Sequence, residues 1–97
     1  MLTHIVVWKY KPEVSEEQRR EHVERLQRLR DLVPEIQSFA VGRDVLRLPR
    51  SYHTGLVATF HGRAGLEAYD AHPEHQAVVQ LGRGISEHVA SVDFEDE

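Results

Sequence analysis

The sequence predicts an α+β fold: a split βαβ arrangement with an antiparallel four-stranded sheet and its helices on one face. Two observations predict it. The hydrophobic period changes along the chain in the order β-α-β-β-α-β, the order of a ferredoxin-like sheet. Strands one and three also carry apolar side chains on both faces, as sheet strands covered on two sides do. A chain of 97 residues has room for one domain, so residues 1–97 are read as a single unit.

The first strand is Thr3 to Tyr10, rich in β-branched and aromatic residues and closed by Pro12. Ser15 followed by Gln18 is a capping-box pattern, and Val23, Leu26, Leu29 and Val33 behind it keep helical spacing, so a helix is predicted over Ser15 to Leu32. Its outer face sets Glu16, Glu21 and Glu24 four residues before Arg20, Arg25 and Arg28, which reads as a solvated, ion-paired face. Pro34 disfavours helical geometry at Val33 and ends the helix. Ile36 to Val41 is then the second strand, and Arg43 to Tyr52, with mixed charge and Pro49, is a long loop with the position of a lid. Thr54 to Phe60 is the third strand. Leu66 to Ala71 is a short helix interrupted at His72-Pro73, and Pro73 opens a second helical piece that runs to Arg83, with Gly82 and Gly84 at its end. His88 to Phe94 is the fourth strand, followed by a frayed acidic tail, Glu95-Asp96-Glu97.

The two-sided strands carry a consequence beyond the fold. Val6 and Trp8 lie on one face of strand one and Ile5 and Val7 on the other, while Leu56, Ala58 and Phe60 oppose Val57 on strand three. Two helices cover one sheet face, so the other requires a partner, most economically a second copy; a homodimer is expected.

Composition narrows the function classes. The hydrophobic fraction of 40% with 29% charged residues is ordinary for a globular domain and argues against disorder. A net charge of -4 repels a phosphate backbone, so no nucleic-acid partner is expected. Without cysteine there is no disulfide framework, no thiolate metal site and no thiol nucleophile. Met1 to Tyr10 has no basic leader, and no run approaches the roughly 20 apolar residues of a bilayer span, so a cytoplasmic protein free of the membrane is expected. The serines lack a Gly-x-Ser-x-Gly elbow, and the glycines lack phosphate-loop spacing. His4, His72 and His75 are conceivable metal ligands, but His72 and His75 straddle a helix start and no carboxylate pair completes a triad. Neither a metal nor an organic cofactor is expected.

The residues His4-Ile5-Val6-Val7-Trp8-Lys9-Tyr10-Lys11, Val33-Pro34, Val41-Gly42-Arg43-Asp44, Phe60, Tyr69-Asp70-Ala71-His72-Pro73-Glu74-His75 and Val92-Asp93-Phe94 together resemble the stress-responsive A/B barrel (Dabb) family. The resemblance covers essentially the whole chain, and its most specific part is Tyr-x-x-His-Pro-x-His combined with the histidine opening strand one. It implies a dimeric α/β barrel, two ferredoxin-like sheets face to face. Most of the family has no assigned reaction, but one plant cyclase in it closes a linear polyketide thioester by aldol condensation without metal or organic cofactor. The catalytic residues this implies are His75, Tyr69 and His4. The cavity wall departs from that cyclase, with His22 and Leu26 standing where it has aromatic residues.

The residues themselves permit such chemistry. Strand parity puts His4 with Val6 and Trp8, and that face must turn to the helices if His22, Leu26 and Tyr69 are to meet it. Leu56 of strand three then joins Val6, Trp8, His22 and Leu26 as the expected wall of a pocket for a small apolar or acyl ligand. His75 lies in the first turn after Pro73, where the helix dipole disfavours imidazolium; a neutral ring accepts a proton while Tyr69 donates a hydrogen bond to a carbonyl. A His or Tyr in an apolar interior also commonly just satisfies its hydrogen bond. Two functions stay open: a cofactor-free cyclase or aldol-type enzyme on β-keto or polyketide-like substrates, and a non-catalytic stress-response or small-ligand-binding protein.

Overall fold

The order of elements in the computed structural model, which describes residues 1–96, is β1 Leu2–Tyr10, α1 Glu16–Leu32, β2 Ser38–Arg43, β3 Thr54–Phe60, α2 Arg63–Ala71, α3 Pro73–Ile85 and β4 Ser86–Glu95. All neighbouring strands are antiparallel, in the sheet order β2-β3-β1-β4. The predicted ferredoxin-like α+β sheet is therefore what the chain forms.

Local chemistry sets the boundaries. The Ser15 side chain accepts from the Gln18 amide while the Gln18 side chain accepts from the Ser15 amide, and this reciprocal cap starts α1. Val33 is extended and ends it, with the next residue a proline. The acid–base pattern along α1 is used differently from expectation: Arg20 pairs with Glu24 at 3.8 Å, and Glu16 reaches across to Arg43 on β2 instead of Arg20. Strand two begins later than the apolar run suggested, at Ser38, because residues 34–37 form the turn that brings the chain back to β3.

Two helix limits also differ. Helix α2 starts at Arg63, three residues ahead of the expected start, and α3 continues through Gly82 and Gly84 to Ile85. For α3 the reason is packing at Gly82, which is buried. A Cβ there would stand 3.0 Å from His22 Nε2 and 3.2 Å from Trp8 Nε1, so glycine is what lets α3 close onto α1 and β1 at this point. That contact outweighs the roughly 1 kcal/mol by which glycine disfavours a helix interior. Of the acidic tail, Glu95 pairs with Leu2 as the last residue of β4, and Glu97 lies outside the described residues.

The register of β1 divides the sheet into two faces. Leu2, His4, Val6, Trp8 and Tyr10 share one face with Thr54, Leu56, Ala58 and Phe60 of β3. This face meets the helices and holds the core, including Tyr10, Leu29, Val33, Phe60 and Tyr69. The opposite face carries Ile5 and Val7 beside Val57, Ala90, Val92 and Phe94, with Val57, Val92 and Phe94 exposed. No helix of the described residues is long and apolar enough to cross a membrane.

A polar group sits inside this core. His22 is fully buried. Its Nδ1 lies 2.8 Å from the Tyr10 hydroxyl, which is in turn 2.8 Å from Thr54 Oγ1, and its Nε2 has no partner among the described residues. The arrangement that orphans no buried N–H has Nδ1–H donating to Tyr10 and Tyr10 donating to Thr54. Burial, with Arg25 second, lowers the His22 pKa to about 4. An unfolded chain protonates this ring below about 6.5, the folded chain only near 4, so the unfolded state holds more protons between those values. Stability should be complete above about pH 6.5 and fall by about 1.4 kcal/mol per unit as pH drops towards 4. Melting temperatures across that range check this, and His22→Leu should flatten the acid limb; an unchanged slope in the variant assigns the acid sensitivity elsewhere.

Candidate active site

Three of the expected catalytic side chains come from three elements and meet on the helix-facing side of the sheet. His4 is on β1, Tyr69 near the end of α2 and His75 in the first turn of α3. The Tyr69 ring lies 4.1 Å from the His75 ring and 5.9 Å from the His4 ring, centroid to centroid, the latter edge-on. Phe60 supports Tyr69 from β3 at 5.3 Å. These three line a cavity of about 290 Å³ whose wall includes Val6, Trp8, Leu26 and Leu56, all expected, and Val78, Val79 and Val89.

His22, expected in that wall, is absent from it. Trp8 stands between, its ring edge-on to His22 at 5.1 Å, and His22 spends its Nδ1 on Tyr10. Position along the strand explains the misplacement: His22 faces the Trp8–Tyr10 end of β1, one turn of helix before Leu26, which does reach the cavity. The loop after β2 does not roof the cavity either. With Asp44, Arg47, Leu48, Ser51 and Tyr52 it borders a separate open depression of about 720 Å³ at the start of α1. Two guanidinium groups there are engaged, Arg43 with Glu16 and Arg19 with the Val14 and Lys11 carbonyls. His72 caps α3, its Nδ1 accepting from the Glu74 amide at 3.1 Å, and so belongs to the backbone rather than to the cavity.

Sequence reasoning missed Asp93, whose carboxylate pairs with His4 Nδ1. The register His4↔Asp93 supplies it: in an antiparallel pair directly opposed residues share a face. Parity along the fourth strand, read against the first, is the signal that could have found it. Arg83 and Asp70 also border the cavity and were not singled out.

The break between α2 and α3 prepares His75. Pro73 has no N–H, and the Glu74 amide is taken by His72, so the Asp70 carbonyl loses its helical donor. The His75 Nδ1–H donates to that carbonyl at 3.2 Å, and Gln76 Nε2 donates to it as well. A carbonyl only accepts, so Nδ1 carries the proton and the lone pair of the neutral ring is on Nε2. The His75 pKa is lowered, and the leading cause is burial; the Asp70 carbonyl and carboxylate oppose it. Tyr69 is shifted the other way, well above the usual phenol range, by burial and by the charge of Asp70. At neutral pH the pair is a neutral base beside a hydroxyl that keeps its proton.

The family described as Stress responsive A/B Barrel Domain matches residues 2–96. No curated protein matches the sequence significantly. Among solved structures, a protein of Thermobifida fusca described as a dimeric ferredoxin-like protein of unknown function is 26% identical, with 96% of this chain and 88% of that one covered and a TM-score of 0.88. A dimeric ferredoxin-like protein of Jannaschia, also of unknown function, is 26% identical over 98% of each chain with a TM-score of 0.82. The hydroxynitrile lyase of Passiflora edulis is 18% identical, with 96% and 90% covered and a TM-score of 0.85, a likeness that shows the fold alone.

The tautomer is directly observable. Ring nitrogen NMR near pH 7 should find His75 neutral with the proton on Nδ1, and its titration midpoint should fall below the ordinary value of about 6.5. Since the folded pKa is the lower one, the stability tied to this ring is present above that value and lost as pH falls. A proton found on Nε2 would remove the base assigned to the cavity.

Proposed function

The chain belongs to the stress-responsive A/B barrel family, and from that premise we propose that it acts as a homodimer catalysing proton abstraction and aldol-type ring closure on β-keto or polyketide-like substrates, without a cofactor. The observation that carries this reading is the His75–Tyr69 pair, 4.1 Å apart in an apolar cavity, with Nδ1 of His75 already committed to a backbone carbonyl.

The chemistry follows from those states. His75 Nε2 takes the proton from a carbon between two carbonyls, and the electron pair of that C–H bond moves onto the carbonyl oxygen as an enolate. Tyr69, protonated throughout, donates a hydrogen bond to that oxygen where negative charge develops. The enolate carbon then attacks a second carbonyl of the same chain, forming the C–C bond, and the imidazolium returns its proton to the new alkoxide. His4, held by Asp93, stands edge-on to Tyr69 and fixes its ring. Val6, Trp8, Leu26 and Leu56 enclose the apolar part of the substrate and keep water from the enolate.

A second reading has its own observation. A volume of about 290 Å³ is at the small end of ligand pockets, which run from roughly 300 Å³, and this suits a protein that holds a small ligand and does nothing to it.

Ring closure of a linear tetraketide N-acetylcysteamine thioester, followed by chromatography, separates the two. The first reading expects product above the buffer rate, with His75→Ala and Tyr69→Phe each reducing it by about 10² or more and the double variant losing little further. Both variants should remain folded dimers. Conversion no faster than buffer, or turnover untouched by both substitutions, favours the binding protein. The dimer has a separate check in sedimentation: a well-folded monomer at micromolar concentration would leave the apolar face of Ile5, Val57, Val92 and Phe94 without cover and overturn that part of the proposal.

A further inference from the structure

The cavity is chemically asymmetric along its length. At one end are His4, Tyr69 and His75, with the carboxylates of Asp70 and Asp93 beside them. The other end is marked by Trp8, against which Gly82 of α3 packs, and the next residue, Arg83, is exposed at the mouth. Along α3, His75 and Arg83 are separated by about 12 Å, and along β1, His4 and Trp8 by about 14 Å, so both elements place the two ends a similar distance apart. The wall between them is largely aliphatic, contributed by Val6, Leu56, Val78 and Val79. Among the described residues, no carboxylate lies within ion-pair distance of Arg83, so its guanidinium at the cavity is not already taken by an acid of the chain.

We infer that Arg83 is a specificity-determining residue that receives an anionic group of the substrate, making the substrate an elongated keto compound with a terminal carboxylate or phosphate remote from the reacting carbonyl. This rests on the proposed function and adds the substrate's second recognition element. A guanidinium presents paired N–H donors that match either anion. Asp70 and Asp93 repel an anion from the His75 end, so the charges on the two ends favour one orientation: anion at Arg83, carbonyl at Tyr69 and His75. Arg83 also lies in the last turn of α3, where a cation suits the helix dipole, and that role alone would affect stability without distinguishing ligands.

The test uses three probes with a common ketone end: 9-oxodecanoate, 9-oxodecyl phosphate and methyl 9-oxodecanoate. Calorimetric titration of the dimer should show at least one anion binding about tenfold or more tighter than the neutral ester, the scale of one charge-assisted contact at a partly exposed site. The stronger of the two anions identifies the terminal group. Arg83→Gln should abolish the preference while leaving ester affinity as it was, and Arg83→Lys should restore part of it. His75→Ala should retain the preference, since that ring is at the other end. Equal affinity of acid, phosphate and ester, no binding by any of them, or a preference that survives Arg83→Gln overturns the inference. Its failure stays distinct from failure of the catalytic reading, because ring closure of the uncharged tetraketide thioester by wild type but not His75→Ala is measured without any anionic probe.

Discussion

Strand β1 has to satisfy two interiors at once, and the molecule is arranged around that requirement. It is central in the sheet, paired to β3 on one edge and β4 on the other, so its side chains alternate between the helix layer and the open face with no freedom to slip. A shift of one residue would send His4, Trp8 and Tyr10 to the open face and bring Thr3, Ile5 and Val7 against the helices. The same alternation that delivers His4 to Tyr69 therefore delivers Ile5 and Val7 to the face that no helix covers. The geometry of the candidate site and the apolar character of the open face share one determinant.

Burial then decides which forms of the polar groups persist. It raises the pKa of Tyr69 and Tyr10 and lowers that of His75 and His22, in each case favouring the neutral species. A neutral histidine next to a protonated phenol is the combination that enolate chemistry requires. His22 has the same neutral state but no access: it is sealed behind Trp8, with its Nδ1 joined to the Tyr10 hydroxyl, which in turn meets Thr54. Comparable electrostatics thus give one histidine a chemical opportunity and the other a structural place, and access to the cavity separates them.

Much of this was legible in the sequence because it depends on local pattern. The alternation in Thr3 to Tyr10, the Ser15–Gln18 cap and the Val33-Pro34 stop each act within a few residues, and the element order follows from them. Strand alternation together with the resemblance also placed His4, Tyr69 and His75 near one another. What was not legible depends on contacts between distant segments. Nothing local distinguishes His22 as fully buried, since its concealment requires Trp8 and Gly82 to arrive from β1 and α3. The helical state of Gly82 and Gly84 is likewise a result of that packing, against their own propensity. Asp93 becomes meaningful only with the β1–β4 register, and the separation of the loop after β2 from the cavity only with the whole layer in place.

The residue with the widest reach into the site does not line the cavity. Pro73 withholds one backbone donor, and its consequences run in sequence: α2 ends, His72 turns to cap the next helix, and the carbonyl of Asp70 is left to find other partners. His75 Nδ1 and Gln76 are those partners, so the tautomer of His75 is fixed by the backbone's need for a donor rather than by a carboxylate. A carboxylate in that place would have favoured imidazolium and weakened the ring as a neutral acceptor. A backbone carbonyl orients the ring with less charge, leaving burial as the leading influence on its pKa. The interruption of a helix and the orientation of the His75 ring are, in this fold, a single event.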